Sequence, residues 1–141
     1  MKDDSRLAVS GLGPSPMPHN WASAECVLFL RHMLALEDGQ ALRLLAGIGS
    51  PELSADKPLN LTESPTRFGR INLHLELLDG RQGWRLQYTR GAGPSPERVV
   101  LPSLLGLQFK FVEVKGAPSH REGNAILVAP EAASWVATWK A

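Results

Sequence analysis

The chain has 141 residues, of which 43% are hydrophobic and 21% are charged, and its 15 basic and 14 acidic residues leave a net charge of +1. This balance gives no electrostatic reason to expect nucleic acid or an anionic membrane as a partner. The length suits a single domain that buries about 68–70% of the surface of its unfolded chain. Because Cys26 is the sole cysteine, no internal disulfide is possible, and no apolar run approaches the ~20 residues of a membrane span.

Residues 1–18 are punctuated by glycine, proline and serine, which predicts an extended lead-in. This segment lacks the apolar core of a signal peptide, so a cytoplasmic location is expected if the chain is complete. In a fragment, the missing end would carry any targeting signal.

A single N-terminal α-helix is predicted within residues 19–38, with its regular part at 20–36. Asn20 suits the N-cap position after Pro18, and Gly39 suits the left-handed conformation that commonly follows a helix.

This predicted helix is apolar on nearly all sides. One stripe at helical spacing consists of Ala22, Cys26, Phe29, Met33 and Leu36. A second band consists of Trp21, Ala24, Leu28 and Ala35. A sheet can cover only one face, and burying a large apolar side chain is worth roughly 1.5–3 kcal/mol. We therefore expect residues 20–36 to meet a second partner, either a preceding domain of a longer chain or another subunit, and to self-associate without one.

About eight short strands are expected over residues 40–141. They are predicted at 41–48, 59–62, 71–78, 84–89, 99–101, 109–114, 125–128 and 135–139. The clearest is 71–78, which alternates apolar and polar residues before the turn signal Asp79-Gly80. In 109–114, the same alternation places Phe111 and Glu113 on the face opposite Val114.

One helix followed by short strands with turns every 8–12 residues predicts a mainly β fold, an antiparallel β sandwich of about eight strands with one N-terminal helix. Parallel strand pairs are not expected, because no further helical segment is present to connect them.

The ionisable residues form no recognised catalytic or metal-binding pattern. The histidines, which are His19, His32, His74 and His120, lie far apart in sequence and form no HxH or HExxH motif. The acids available for a carboxylate pair are Glu63, Glu76, Glu113, Glu122 and Glu131, and these are expected at turns or on the polar face of a strand. No GxSxG motif is present. The sequence therefore predicts no catalytic residue, no metal site and no cofactor.

Four aromatic residues allow two interpretations. Trp84, Tyr88, Trp135 and Trp139 could form a stacking platform for a sugar on one face of the sandwich. Trp84 and Tyr88 alternate in phase with Leu86, however, so a place in the hydrophobic core is the stronger interpretation.

Four stretches, in order, resemble a known family. HNWASAECVLFLRHML (19–34) resembles the His-Gly-Trp-Ala-Ala-Ala-Glu helix that ends the (α/α)6 barrel of a group of bacterial glycoside hydrolase-like proteins, and LRLLAGI (42–48) resembles the strand that follows it. SPTRFGRINLHLEL (64–77) is similar to their Ala-Pro-Thr-x-Phe-Gly segment and the long strand after it. FKFVEVKGAP (109–118) resembles their strand that ends in Val-Asn-Gly.

In that family the β sandwich is a non-catalytic C-terminal domain that packs against the catalytic barrel. The resemblance implies that this chain is such a domain with the barrel's last helix, which would account for the second apolar side of residues 20–36. It also implies that His19 and Trp21 lie near the mouth of the sugar pocket and contact substrate without performing catalysis. Asn20 stands where the family has glycine.

Two alternatives remain open. A free-standing carbohydrate- or protein-binding sandwich would require exposed aromatic residues or an exposed apolar patch. A small enzyme of unrecognised type would require a cleft with at least two convergent titratable groups.

Overall fold

The computed structural model describes residues 31–49, 53, 57–106 and 108–141. Residues Met33–Ala141 form one compact unit, which contains both β-sheets. The predicted lead-in at 1–18 and the helical residues 19–30 lie outside the described part of the chain.

The fold is mainly β, with two sheets built largely from antiparallel pairs, which confirms the predicted sandwich class. The described residues contain eleven strands, more than the eight expected. They are β1 (Ala35–Asp38), β2 (Ala41–Leu44), β3 (Leu59–Thr66), β4 (Gly69–Leu77), β5 (Gly83–Arg90), β6 (Arg98–Pro102), β7 (Leu104–Leu105), β8 (Phe109–Lys115), β9 (Ser119–Glu122), β10 (Ala125–Val128) and β11 (Ser134–Lys140).

The two sheets have different strand orders. Sheet A has the order β1-β2-β6-β10-β9, and sheet B has the order β3-β4-β5-β11-β8-β7. The chain therefore leaves sheet A after β2, builds the β3–β5 meander of sheet B and returns to sheet A at β6.

The predicted helical range 19–38 is wrong at its C-terminal end. Residues 31–34 are helical, but β1 begins at Ala35 and pairs with β2. Gly39, with φ of 63°, and Gln40 form the two-residue loop of this hairpin. Glycine at this position serves a primed hairpin turn instead of a helix cap, because the pairing with β2 outweighs the helix propensity of the preceding residues.

The expectation of no parallel pair is also wrong. Strands β2 and β6 are parallel, with Leu42 opposite Val99. The crossover that joins them consists of β3, β4 and β5 in the other sheet. A parallel connection needs only a long return path, and three strands of the facing sheet supply that path as well as a helix would.

The hairpin of β4 and β5 confirms the clearest sequence prediction. Ile71, Leu73 and Leu75 are 0–2% exposed and belong to the core. The 3₁₀ turn Asp79–Arg81 connects the two strands, and the Leu78 N–H donates to the Gly83 carbonyl oxygen at 2.7 Å.

Strand β8 departs from the predicted alternation. Its register against β11 shifts between Thr138 and Trp139, so that one additional residue is accommodated on the β8 side. Phe111 and Val114 both pack against the core, whereas Glu113 is exposed. The prediction that Glu113 shares a face with Phe111 is wrong because a β-bulge changes the phase of the strand.

Candidate functional site

The two site residues that the resemblance suggests, His19 and Trp21, lie outside the described residues. The other candidate groups can be located. His74 and Glu76 lie on the outer face of sheet B, and His120 lines a cleft on sheet A. His32 is exposed.

The four aromatic residues considered for sugar stacking are in the hydrophobic core. Trp84, Tyr88, Trp135 and Trp139 are between 0% and 3% exposed. The rings of Tyr88 and Trp135 stack with centroids 4.6 Å apart and planes at 17°. The core interpretation is therefore confirmed, and a sugar-stacking platform built from these four side chains is wrong, because no ligand could reach their faces without opening the sandwich.

A polar patch crosses three strands on the outer face of sheet B. Asn60 of β3 lies opposite His74 of β4, and their side chains meet through Asn60 Oδ1 and His74 Nδ1. His74 Nε2 lies 3.3 Å from Glu76 Oε1. The Arg85 guanidinium of β5 completes the patch by binding Glu76, with Nε 2.8 Å from Oε2.

The electrostatics of this patch favour an ionised carboxylate. The hydrogen bond from Arg85 lowers the pKa of Glu76, partial burial opposes this effect, and the Arg85 charge and His74 lower the pKa further. A general acid needs a raised carboxyl pKa, so Glu76 is tuned in the opposite direction. Both ring nitrogens of His74 face side-chain oxygens, which leaves no lone pair directed at an approaching substrate.

A second part of the patch supports the irregular course of β3. Glu63 adopts a positive φ of 48° where the β3 register shifts. The Asn72 side chain accepts a hydrogen bond from the Glu63 N–H and donates one to Glu63 Oε2, both at 2.8 Å. It also donates to Thr89 Oγ1 at 3.2 Å. These contacts join β3, β4 and β5, so the patch acts as a structural link between three strands.

Sheet A carries a cleft of about 260 Å³. Its lining includes Glu97, Arg98, Pro118, His120 and Leu127. Arg98 is bound to Glu122 of β9, with Nη2 2.8 Å from Oε1, and no hydrogen bond or ion pair joins Glu97 to His120 within the described residues. The side chains of Glu97 and His120 are both exposed to solvent.

This cleft has no signal in the sequence, because the strand beside it, β9, has none. Strand β9, with the sequence SHRE, is exposed at all four positions and therefore has no apolar alternation to predict it.

Within the described residues, no three His, Cys, Asp or Glu side chains lie close enough to hold a metal ion. No helix in this part of the chain is long and apolar enough to cross a bilayer. The chain matches no protein-family model, no curated protein and no solved structure at a significant level.

Proposed function

We propose that this chain is a non-catalytic β-sandwich module of a glycoside hydrolase-like protein, where it supports or flanks a catalytic (α/α)6 barrel. The observation that carries the proposal is the use of the aromatic side chains: Trp84, Trp135 and Trp139 are at most 3% exposed and hold the two sheets together. A carbohydrate-binding sandwich typically needs such side chains at its surface, whereas a supporting module needs them in its core.

The ionisable groups of the two outer faces support the same proposal. Arg43 binds Asp38 at 2.9 Å, and Arg98 binds Glu122 at 2.8 Å. These ion pairs, like that of Glu76 with Arg85, join strands of the same sheet. They contribute to a folded, soluble module surface and present no set of convergent groups within the described residues.

The partner of the module is proposed to be the barrel that would precede residues 19–38, or another subunit that covers the same segment. Under this proposal His19 and Trp21 contact the substrate held by the barrel, and the chemistry belongs to acidic residues of the barrel.

A comparison of three polypeptides tests this function: the full native protein, a version that ends before Met33, where the sandwich unit begins, and the present chain alone. We expect glycoside hydrolysis in the first two and none in the third, with a lower melting temperature for the version without the sandwich. Turnover by the present chain alone would contradict the proposal. Binding of a glycan array by the present chain, abolished by substitutions in the Glu97–His120 cleft, would favour a carbohydrate-binding module instead.

A further inference from the structure

Among the described residues, the C-terminal half of strand β8 has one neighbouring strand, β11. On one side it pairs with β11 up to Lys115. On the other side β7 pairs only with Phe109 and Lys110, and the Phe111 N–H donates to the Ser103 carbonyl oxygen at 2.9 Å. The described residues provide no strand beside 112–115 on this side. The backbone groups that point to this edge are therefore available to a further strand.

Exposed apolar side chains are concentrated beside this open edge. Among the described residues, three large hydrophobic side chains are exposed, and two of them are Leu104 of β7, at 43%, and Val112 of β8, at 48%. Leu104 lies opposite Lys110, so both exposed side chains belong to the same end of sheet B. A strand that pairs with the edge at 112–115 would remove apolar surface of Val112 from water.

The charges on the edge select the partner. Glu113 and Lys115 are both exposed, and Lys115 Nζ lies 3.6 Å from Glu113 Oε2 on the same face. Charged residues on an edge strand discourage pairing with an arbitrary strand, because each charge then faces an unsuitable neighbour. The sequence Glu113-Val114-Lys115 is, however, complementary to itself when two copies run antiparallel about Val114. In that register Glu113 of each copy faces Lys115 of the other, and the two Val114 residues face each other.

The course of the chain after β8 permits this arrangement. Gly116 has a φ of 100° and follows the last residue of the strand. The chain continues to Pro118, whose carbonyl oxygen accepts a hydrogen bond from the N–H of Ala129, the residue directly after β10. A second copy would thus leave the edge before its chain reached Ser103, which already occupies the position beside Phe111.

We propose that residues 112–115 of β8, together with Gly116 directly after the strand, form a self-recognition edge, through which two copies of this chain pair antiparallel about Val114. The paired segment is short, and its interface falls below the roughly 1,200 Å² of stable complexes, so the dimer is weak and concentration-dependent. This inference does not depend on the proposed function.

Charge reversal at the two positions tests the proposal. Sedimentation equilibrium over a dilution series measures the dissociation constant of the wild type, of Glu113→Lys and of Lys115→Glu. In a dimer of either single variant, position 113 of each copy faces a like charge at position 115 of the other copy, so two repulsive pairs form. We expect the dissociation constant of the dimer to rise about tenfold or more. The double variant Glu113→Lys/Lys115→Glu restores both opposite-charge pairs and is expected to dimerise as the wild type does. An equimolar mixture of the two single variants is expected to form the heterodimer.

Glu131→Lys is the matched control for Glu113→Lys, because Glu131 is exposed in the loop before β11 and its reversal makes the same change in net charge as Glu113→Lys. It should leave the dissociation constant unchanged. A wild type that stays monomeric at the highest concentration reached would overturn the proposal. Association that is equal in all variants would also overturn it and would place the contact elsewhere, as would failure of the double variant to recover. Circular dichroism of each variant confirms that the sandwich is folded.

Discussion

Trp139 of β11 donates its indole N–H to the Pro102 carbonyl oxygen of β6, with Nε1 2.9 Å from the oxygen. The two strands belong to different sheets, so this hydrogen bond joins the layers of the sandwich from within the core. Trp139 is fully buried, and its ring and that of Phe111 pack in a T-shaped arrangement with centroids 6.1 Å apart. It therefore combines apolar packing with a specific polar contact, as buried tryptophans commonly do.

The replacement Trp139→Phe is expected to destabilise the protein more than Trp84→Phe does. Both indoles are 0% exposed, so both variants lose a similar buried volume. Trp84 Nε1 has no hydrogen-bond partner within the described residues, whereas Trp139 Nε1 donates to Pro102. We expect a difference of about 1 kcal/mol in the free energy of unfolding, measured by urea denaturation. Equal losses in the two variants would show that the inter-sheet hydrogen bond contributes nothing.

Tyr88 should make stability fall at high pH. Burial raises the pKa of Tyr88 above its ordinary value of 10.0, and the charge and polar contact of the neighbouring Arg90 oppose this effect. Because the folded pKa is the higher one, stability is fully present below the unfolded pKa and is lost as the pH rises from about 10 through the folded pKa. Tyr88 is the sole tyrosine, so phenolate absorbance reports it directly. Tyr88→Phe should lose less stability between pH 9 and 11 than the wild type, and equal losses would contradict this account.

Glu76 should make stability fall at low pH. Its hydrogen bond from Arg85 lowers its pKa below the ordinary value of 4.5. The resulting stabilisation is present above the unfolded pKa and is lost as the pH falls through the folded pKa. The Glu76 side chain is 27% exposed and that of Arg85 is 44%, so we expect less than about 1 kcal/mol at pH 7, decreasing with added salt. The variant Glu76→Gln should remove this pH dependence. A steeper fall in the variant than in the wild type would contradict the assignment.

Gly83 begins β5 where the backbone of β11 passes too close for a side chain. A Cβ atom there would collide with the Trp139 carbonyl oxygen and lie 3.0 Å from the Lys140 Cα. Gly83→Ala must therefore displace backbone, and we expect a loss of about 1–3 kcal/mol in thermal or urea unfolding. Gly91→Ala is the control, because its nearest neighbour would be the Arg70 carbonyl oxygen at 3.6 Å. Equal stability of the two variants would mean that β5 and β11 separate easily at this end.

The parts of the fold that follow from the sequence are those governed by local alternation. The run from Ile71 to Leu77 encodes a strand with one buried face, and the structure has β4 there. The core position of Trp84 and Tyr88 also follows, because both share the phase of Leu86. In each case, residues two apart in sequence carry enough information to determine which side is buried.

The remaining features depend on partners distant in sequence. Ala35 and Leu36 continue a helical pattern, yet they pair with Leu44 and Arg43 and form β1. The bulge in β8 is determined by the pairing of β8 with β11, and no residue of β8 indicates it in the sequence. The parallel neighbour of β2 lies more than 50 residues further along the chain, in β6. None of these pairings has a local signal in the sequence. The cleft between β6, β9 and β10 also depends on the pairing of strands, so the sequence alone could not predict it.

The mass of the native polypeptide in its source cells tests the central claim most directly. An antibody raised against the present chain, used on an immunoblot of a whole-cell extract, measures it without assuming a substrate. The proposed role as the sandwich module of a barrel enzyme predicts a band several times larger than 15.3 kDa. A band at 15.3 kDa would contradict that role and would mean that the sandwich acts without a barrel in the same chain.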